Sequence, residues 1–90
     1  MSERPLFPLG RILITPAAEE YLSGEEVSTA LRRHQHGDHG DIPAEDMYQN
    51  RRGLVNCGMV MSVFIAAEGG HYWVQTHGTR SHTIILLPGE

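Results

Sequence analysis

Three apolar, β-branched runs separated by glycine-bearing breaks fill the last third of the chain, and they restrict its fold more than any other feature. Met59 to Ala67, His71 to Thr76 and Arg80 to Leu87 each have strand composition and strand length. Gly69-Gly70 and His77-Gly78 stand between them and read as two-residue hairpin turns, with His77 in place of the more usual Asn or Asp. Strands joined by tight turns pair antiparallel. A three-stranded meander over residues 59–88 is therefore expected. Such turns would set Ala66 opposite Trp73, and Trp73 opposite His82. Alternation then assigns Met61, Val63, Ile65, Tyr72, Val74, Ile85 and Leu87 to a helix-covered face. Ser62, Phe64, Trp73, Gln75, Arg80 and His82 fall on the other. An indole, a guanidinium and an imidazole together make that second face a candidate binding surface, with Trp73, Arg80, His82, Gln75 and Phe64 as its contact residues.

The first half reads as helices behind a short strand. Residues 1–8, with Pro5 and Pro8, form an extended arm. Arg11-Ile12-Leu13-Ile14 is a first strand. Thr15-Pro16 starts a helix, because Thr caps well and proline's missing N–H costs nothing at the first helical position. Tyr21 and Leu22 supply its apolar contacts. Ser23-Gly24-Glu25-Glu26 matches the capping box of a second helix running to about Arg33. Its inner stripe is Val27, Ala30, Leu31 and His34, and Gly37 stops it. Asp41-Ile42-Pro43 signals a third helix capped by Asp41, which ends near Arg52-Gly53. The expected fold is α+β in a single domain over residues 1–90: strand and helices in 9–54, then the meander, with helices on one face of the sheet.

Between the second and third helices lies His34-Gln35-His36-Gly37-Asp38-His39-Gly40-Asp41, which holds three of the six histidines. Two chemistries fit these residue types. His34, His36 and His39, with Asp38 or Asp41, would supply the N and O ligands of a metal, although the spacing matches no strong motif. Alternatively, His34 is a general base oriented by Asp38, with Arg80 and Thr83 holding a phosphate and Ser81 or Gln75 placing a 2′-hydroxyl. That is the toolkit of a metal-independent ribonuclease. The plainer reading is a helix end followed by an Asp-capped turn. Cys57, the single cysteine, reads as a buried, inert thiol.

Composition narrows the classes. A net charge of −4 argues against nonspecific nucleic-acid binding. All seven cationic residues are arginine, which removes lysine nucleophiles, Schiff bases and P-loop chemistry. The lone cysteine excludes a disulfide framework and fits a reducing cytoplasm. No apolar run approaches the ~20 residues that span a bilayer, and the N-terminus has no signal-peptide pattern. A cytoplasmic protein without cofactor is expected.

Three segments carry a resemblance: Leu9-Gly10-Arg11-Ile12-Leu13-Ile14-Thr15-Pro16, Arg33-His34 with Gly37-Asp38-His39-Gly40-Asp41, and Trp73-Val74 with Arg80-Ser81-His82-Thr83-Ile84-Ile85-Leu86-Leu87-Pro88. In that order they resemble small proteins of plasmids and integrative elements of Proteobacteria, termed plasmid-related. That family usually has tryptophan where His39 stands and an acidic pair where His77-Gly78 stands. His39 and His77 are thereby removed from any shared chemistry. In layout the chain is also similar to the barnase–colicin–RelE group of ribonucleases. The resemblance implies a mobile-element protein that binds a protein partner, such as an inhibitor of a host defence complex comparable to anti-CRISPR proteins. The ribonuclease, with RNA as partner, is the alternative, and a His/Asp metal module is third. A homodimer is compatible with each.

Overall fold

A computed structural model describes residues 4–90, so the first three residues of the expected arm lie outside the described residues. The chain runs β1 (Arg11–Ile14), α1 (Pro16–Tyr21), α2 (Gly24–Gln35), α3 (Ala44–Asn56), β2 (Val60–Ile65), β3 (His71–Thr76) and β4 (His82–Leu86). This is the expected α+β class. The sheet has four strands in the order β1-β4-β3-β2, because β1 joins the meander alongside β4, parallel to it. Among the described residues no helix is long and apolar enough to cross a membrane.

Local signals account for the helices. Thr15 accepts a hydrogen bond from the Ala18 N–H, with Pro16 opening α1. Ser23 and Glu26 form the full capping box of α2. Glu26 also accepts from the Ala67 N–H, which fastens the start of α2 to the β2–β3 turn and holds its carboxyl below the usual range. The core is one cluster. Ala18, Leu22 and Ala30 pack on Phe64, Ala66, Tyr72, Val74 and Ile85, flanked by Ile14, Val27, Leu31 and Leu87.

The faces of β2 are the reverse of those expected. Ile65 pairs with His71, and the connection occupies residues 66–70, closed by Gly69 N–H to Ala66 O and Ala66 N–H to Gly70 O. Trp73 therefore opposes Val63 where the two-residue turn would have set Ala66, a slip of three residues. An odd slip flips every side chain of the strand. Phe64 and Ser62 face the helices, and Met61, Val63 and Ile65 face away. The second turn is also longer than two residues, with His77 N–H bonded to His82 O. There Trp73 opposes Leu86 where His82 was expected, a slip of four, so the faces of β4 stand as read.

The third helix differs too. Its N-cap is Pro43, with no side-chain cap, and it runs through Gly53 to a left-handed Cys57, which is exposed and not buried as expected because it caps the helix at the surface. Asp41 does not cap it: the Asp41 carboxylate meets His71 at 3.4 Å, while its N–H bonds Val63 O. Gly53 does not stop the helix; it admits the close approach of the chain after α3, since an added Cβ would stand 2.6 Å from Met59 O.

The outer edge of β2 is closed by the loop before α3 and by α3 itself. The loop supplies His39 O to the Val63 N–H and the Asp41 N–H to Val63 O. Asn50 does the same for Met61, accepting from its N–H at 2.8 Å and donating to its carbonyl at 2.6 Å. Gly40 is obligatory in this closure. Its φ is +68°, and an added Cβ would stand 2.1 Å from Val63 O. Gly40→Ala is expected to destabilise the fold by about 2–4 kcal/mol in urea unfolding. A loss below about 0.5 kcal/mol would show that the loop does not seal this edge.

Candidate functional site

Two features compete for a functional role: a buried polar chain on the helix side of the sheet and the bare face opposite. The first is centred on His34. The α2 stripe that buries Ala30 also buries His34, which is fully enclosed. Its Nδ1 lies 2.6 Å from Ser62 Oγ on β2, and its Nε2 lies 2.8 Å from Thr76 Oγ1 on β3. Thr76 meets Thr83 Oγ1 on β4 at 2.7 Å, and Thr83 donates to Leu9 O at 2.7 Å. At the other end His39 Nδ1 meets Ser62 Oγ at 2.8 Å. Phe7, from the arm, closes the pocket with its ring edge-on to His34.

The proton positions follow by elimination. A carbonyl only accepts, so the single Thr83 hydroxyl proton goes to Leu9 O. Thr83 must then accept from Thr76, and Thr76 must accept from His34 Nε2–H. Neutral His34 has a bare Nδ1, which takes the Ser62 proton, and Ser62 accepts from His39 Nδ1–H. Every hydroxyl is used once each way. Burial drives the His34 pKa down to about 3, helped by the positive charge available to His39 and by Arg80. Burial also lowers His39. His34 is thus a neutral structural group near pH 7.

This arrangement removes the groups the ribonuclease reading requires. His34 has both ring nitrogens engaged and no access to solvent. Asp38 does not orient it. The Asp38 carboxylate grips Arg33 at 2.7 and 3.2 Å and accepts from Gly40 N–H. The Arg33 guanidinium holds the Asp38 carboxyl below its ordinary range. Arg80 lies over the Phe7 ring, its Cζ 5.2 Å from the centroid. Its guanidinium donates to the carbonyls of Gly58 at 2.7 Å, Gly53 at 3.0 Å and His77 at 3.3 Å. It clamps the negative end of α3 to the β3–β4 turn, which is a structural duty. Thr83 is fully buried. His34 and Arg80 share a contact with Phe7, not a cleft with room for phosphate.

The metal candidates are not gathered either. His34 and His39 meet edge-on with ring centroids 5.8 Å apart, but Ser62 Oγ engages the Nδ1 of both, and His36 Nδ1 turns back to Arg32 O. Among the described residues no group of three or more His, Cys, Asp or Glu is placed to hold a metal ion.

On the opposite face the expected contact residues divide. Trp73 and Gln75 are half-buried there, beside Met61, and Gln75 reaches the Met61 sulfur at 3.6 Å. His82 is on the same face, stacked on His77 with ring centroids 5.1 Å apart. Phe64 is not: it is 2 % exposed in the core, beneath the Arg33 guanidinium. Arg80 belongs to the turn. Residues missed from sequence are Leu13, Ile84 and Leu86, which share this face through the β1–β4 and β3–β4 registers. Helices α1 and α2 pack on the other face, through Ala18, Leu22 and Ala30. Trp73 floors a shallow concavity bordered by Asp41, Pro43, Asp46, Met61, His71 and Pro88.

The polar chain has a pH signature. Unfolded histidine titrates near 6.5 while folded His34 titrates near 3, so the unfolded state binds the extra proton between these values. Stability therefore falls as pH drops below 6.5. Between pH 7 and 4.5 the loss should be about 2–3 kcal/mol, before carboxylates such as Glu26 contribute. Urea unfolding across that range measures it, and His34→Gln should flatten most of the slope. A flat wild-type profile contradicts a buried neutral His34. Nitrogen-15 NMR at neutral pH should show His34 as the Nε2–H tautomer; an Nδ1–H form would reverse the hydroxyl order.

Set against known proteins, the chain matches no family model, no curated protein and no solved structure.

Proposed function

We propose that this protein is a small interaction module that binds a protein partner through the helix-free face of its sheet, with Trp73 at the centre. One observation carries this reading. On the helix-free face a band of apolar side chains runs across all four strands, behind a helix-covered face that buries the Ser62, Thr76 and Thr83 hydroxyls. Ser62, Thr76 and Thr83 are fully buried, whereas Leu13 is 37 % and Ile65 64 % exposed on the other face. Trp73, Ile84 and Leu86 lie between them, each half-exposed. A half-solvated antiparallel sheet ordinarily shows water its polar side. An apolar band with an aromatic at its centre, bordered by Gln75 and His82, has the make-up of an interface core with a polar rim. The likeness to small mobile-element proteins supports a host component, such as a defence complex, as the partner.

Trp73→Ala separates binding from folding, because the side chain is not part of the buried cluster. Tagged wild-type protein is expected to retain a stoichiometric partner from extracts of its host. Trp73→Ala should lose that partner, with a melting temperature within a few degrees of wild type. A partner held equally by the variant, or no partner at all, contradicts the reading.

A further inference from the structure

The two outer edges of the sheet are treated differently. The β2 edge is closed by His39, Asp41 and Asn50, as described above. Among the described residues the β1 edge has no such cover. Arg11 N–H bonds Ser81 O and Thr15 N–H bonds Ile85 O. Alternate residues of β1 are thus directed at β4, which turns the N–H and C=O groups of Ile12 and Ile14 outward. Ile12 is 42 % exposed. The strand is Arg-Ile-Leu-Ile and contains none of the proline, lysine or bulge devices that protect exposed edges.

We propose that this edge pairs with β1 of a second copy, antiparallel about a two-fold axis through Leu13. The two four-stranded sheets then become one continuous sheet. In this register Leu13 faces its own copy. Ile12 faces Ile14 of the second copy, and the pair exchanges both backbone hydrogen bonds, once on each side of the axis. Arg11 comes opposite Thr15 of the second copy. That position carries negative charge, because the Thr15 hydroxyl holds the Glu90 carboxylate at 2.8 Å. The Arg11 side chain is exposed and has no partner among the described residues. The edge is therefore complementary to itself in hydrogen bonds and in charge, with an Arg11–Glu90 pair closing each end. Centring the axis on Ile12 would set Arg11 against Leu13 and Ile14 against Gly10, forfeiting the charge match. Leu13 lies on the helix-free face, so pairing also joins the two Trp73 surfaces. The dimer itself does not depend on those surfaces binding anything.

Sedimentation velocity of the full chain from about 1 to 500 µM spans weak to moderate affinities. Wild type should move toward twice its chain mass of 10.0 kDa as concentration rises. Ile12→Pro removes an outward N–H and no bond to β4, which an edge strand tolerates, and should stay at chain mass with an unchanged circular dichroism spectrum. Arg11→Glu should weaken association about tenfold or more, and Arg11→Glu with Glu90→Arg should restore it. Trp73→Ala should leave the dimer intact, which separates this inference from the proposed partner site. Wild type at chain mass throughout, a dimer that survives Ile12→Pro, or a charge reversal without rescue would each overturn it. Should Ile12→Pro lose its fold, the charge-reversal pair decides.

Discussion

The enclosure of His34 between hydroxyls of two strands, Ser62 on β2 and Thr76 on β3, is the constraint on which the rest of the structure depends. An imidazole out of water needs a partner for each nitrogen. Ser62 and Thr76 provide them, and each hydroxyl is satisfied in turn by His39 and Thr83. The chain ends on the Leu9 carbonyl, so it binds α2, β2, β3, β4 and the N-terminal arm into one unit. Because its proton order follows from a single terminal acceptor, no member can be exchanged for an apolar residue without orphaning a neighbour.

That solution shapes the opposite face. Placing Ser62, Thr76 and Thr83 inward commits Met61, Trp73, Gln75, Ile84 and Leu86 to the outside, since strands alternate. Their half-exposed state is a direct consequence of where the hydroxyls point. Arg80 and Arg33 then act as fasteners beside this layer. Arg80 ties the Gly53 carbonyl of α3 and the Gly58 carbonyl just after it to His77 O of the β3–β4 turn, and Arg33 covers Phe64 while gripping Asp38. Residues with the chemistry of a nuclease site are thereby spent on structure.

How much was legible in the sequence depends on the range of the interaction concerned. The capping box at Ser23, the Thr15-Pro16 start and the α2 stripe reaching His34 all read correctly, because a helix is decided within one or two turns. The faces of β2 did not. They hinge on the parity of one turn, and Glu26 reaching Ala67 from forty-one residues away stabilises a longer connection than Gly69-Gly70 suggests. Asp41 looked like a helix cap and instead docks against the edge of β2, since an unpaired strand edge competes for the same backbone groups.

The local code was therefore sufficient for the class of fold, the starts of α1 and α2 and the burial of His34. Its chemical role was a matter of assembly. Whether a histidine is a base or a strut depends on what stands against its two nitrogens, and Ser62 and Thr76 lie 28 and 42 residues away. Likewise, Arg80 offers a phosphate ligand in sequence and finds three carbonyls in space. Short-range backbone preferences are written in neighbouring residues, whereas desolvation and hydrogen-bond satisfaction are set by atoms that only the folded chain brings together.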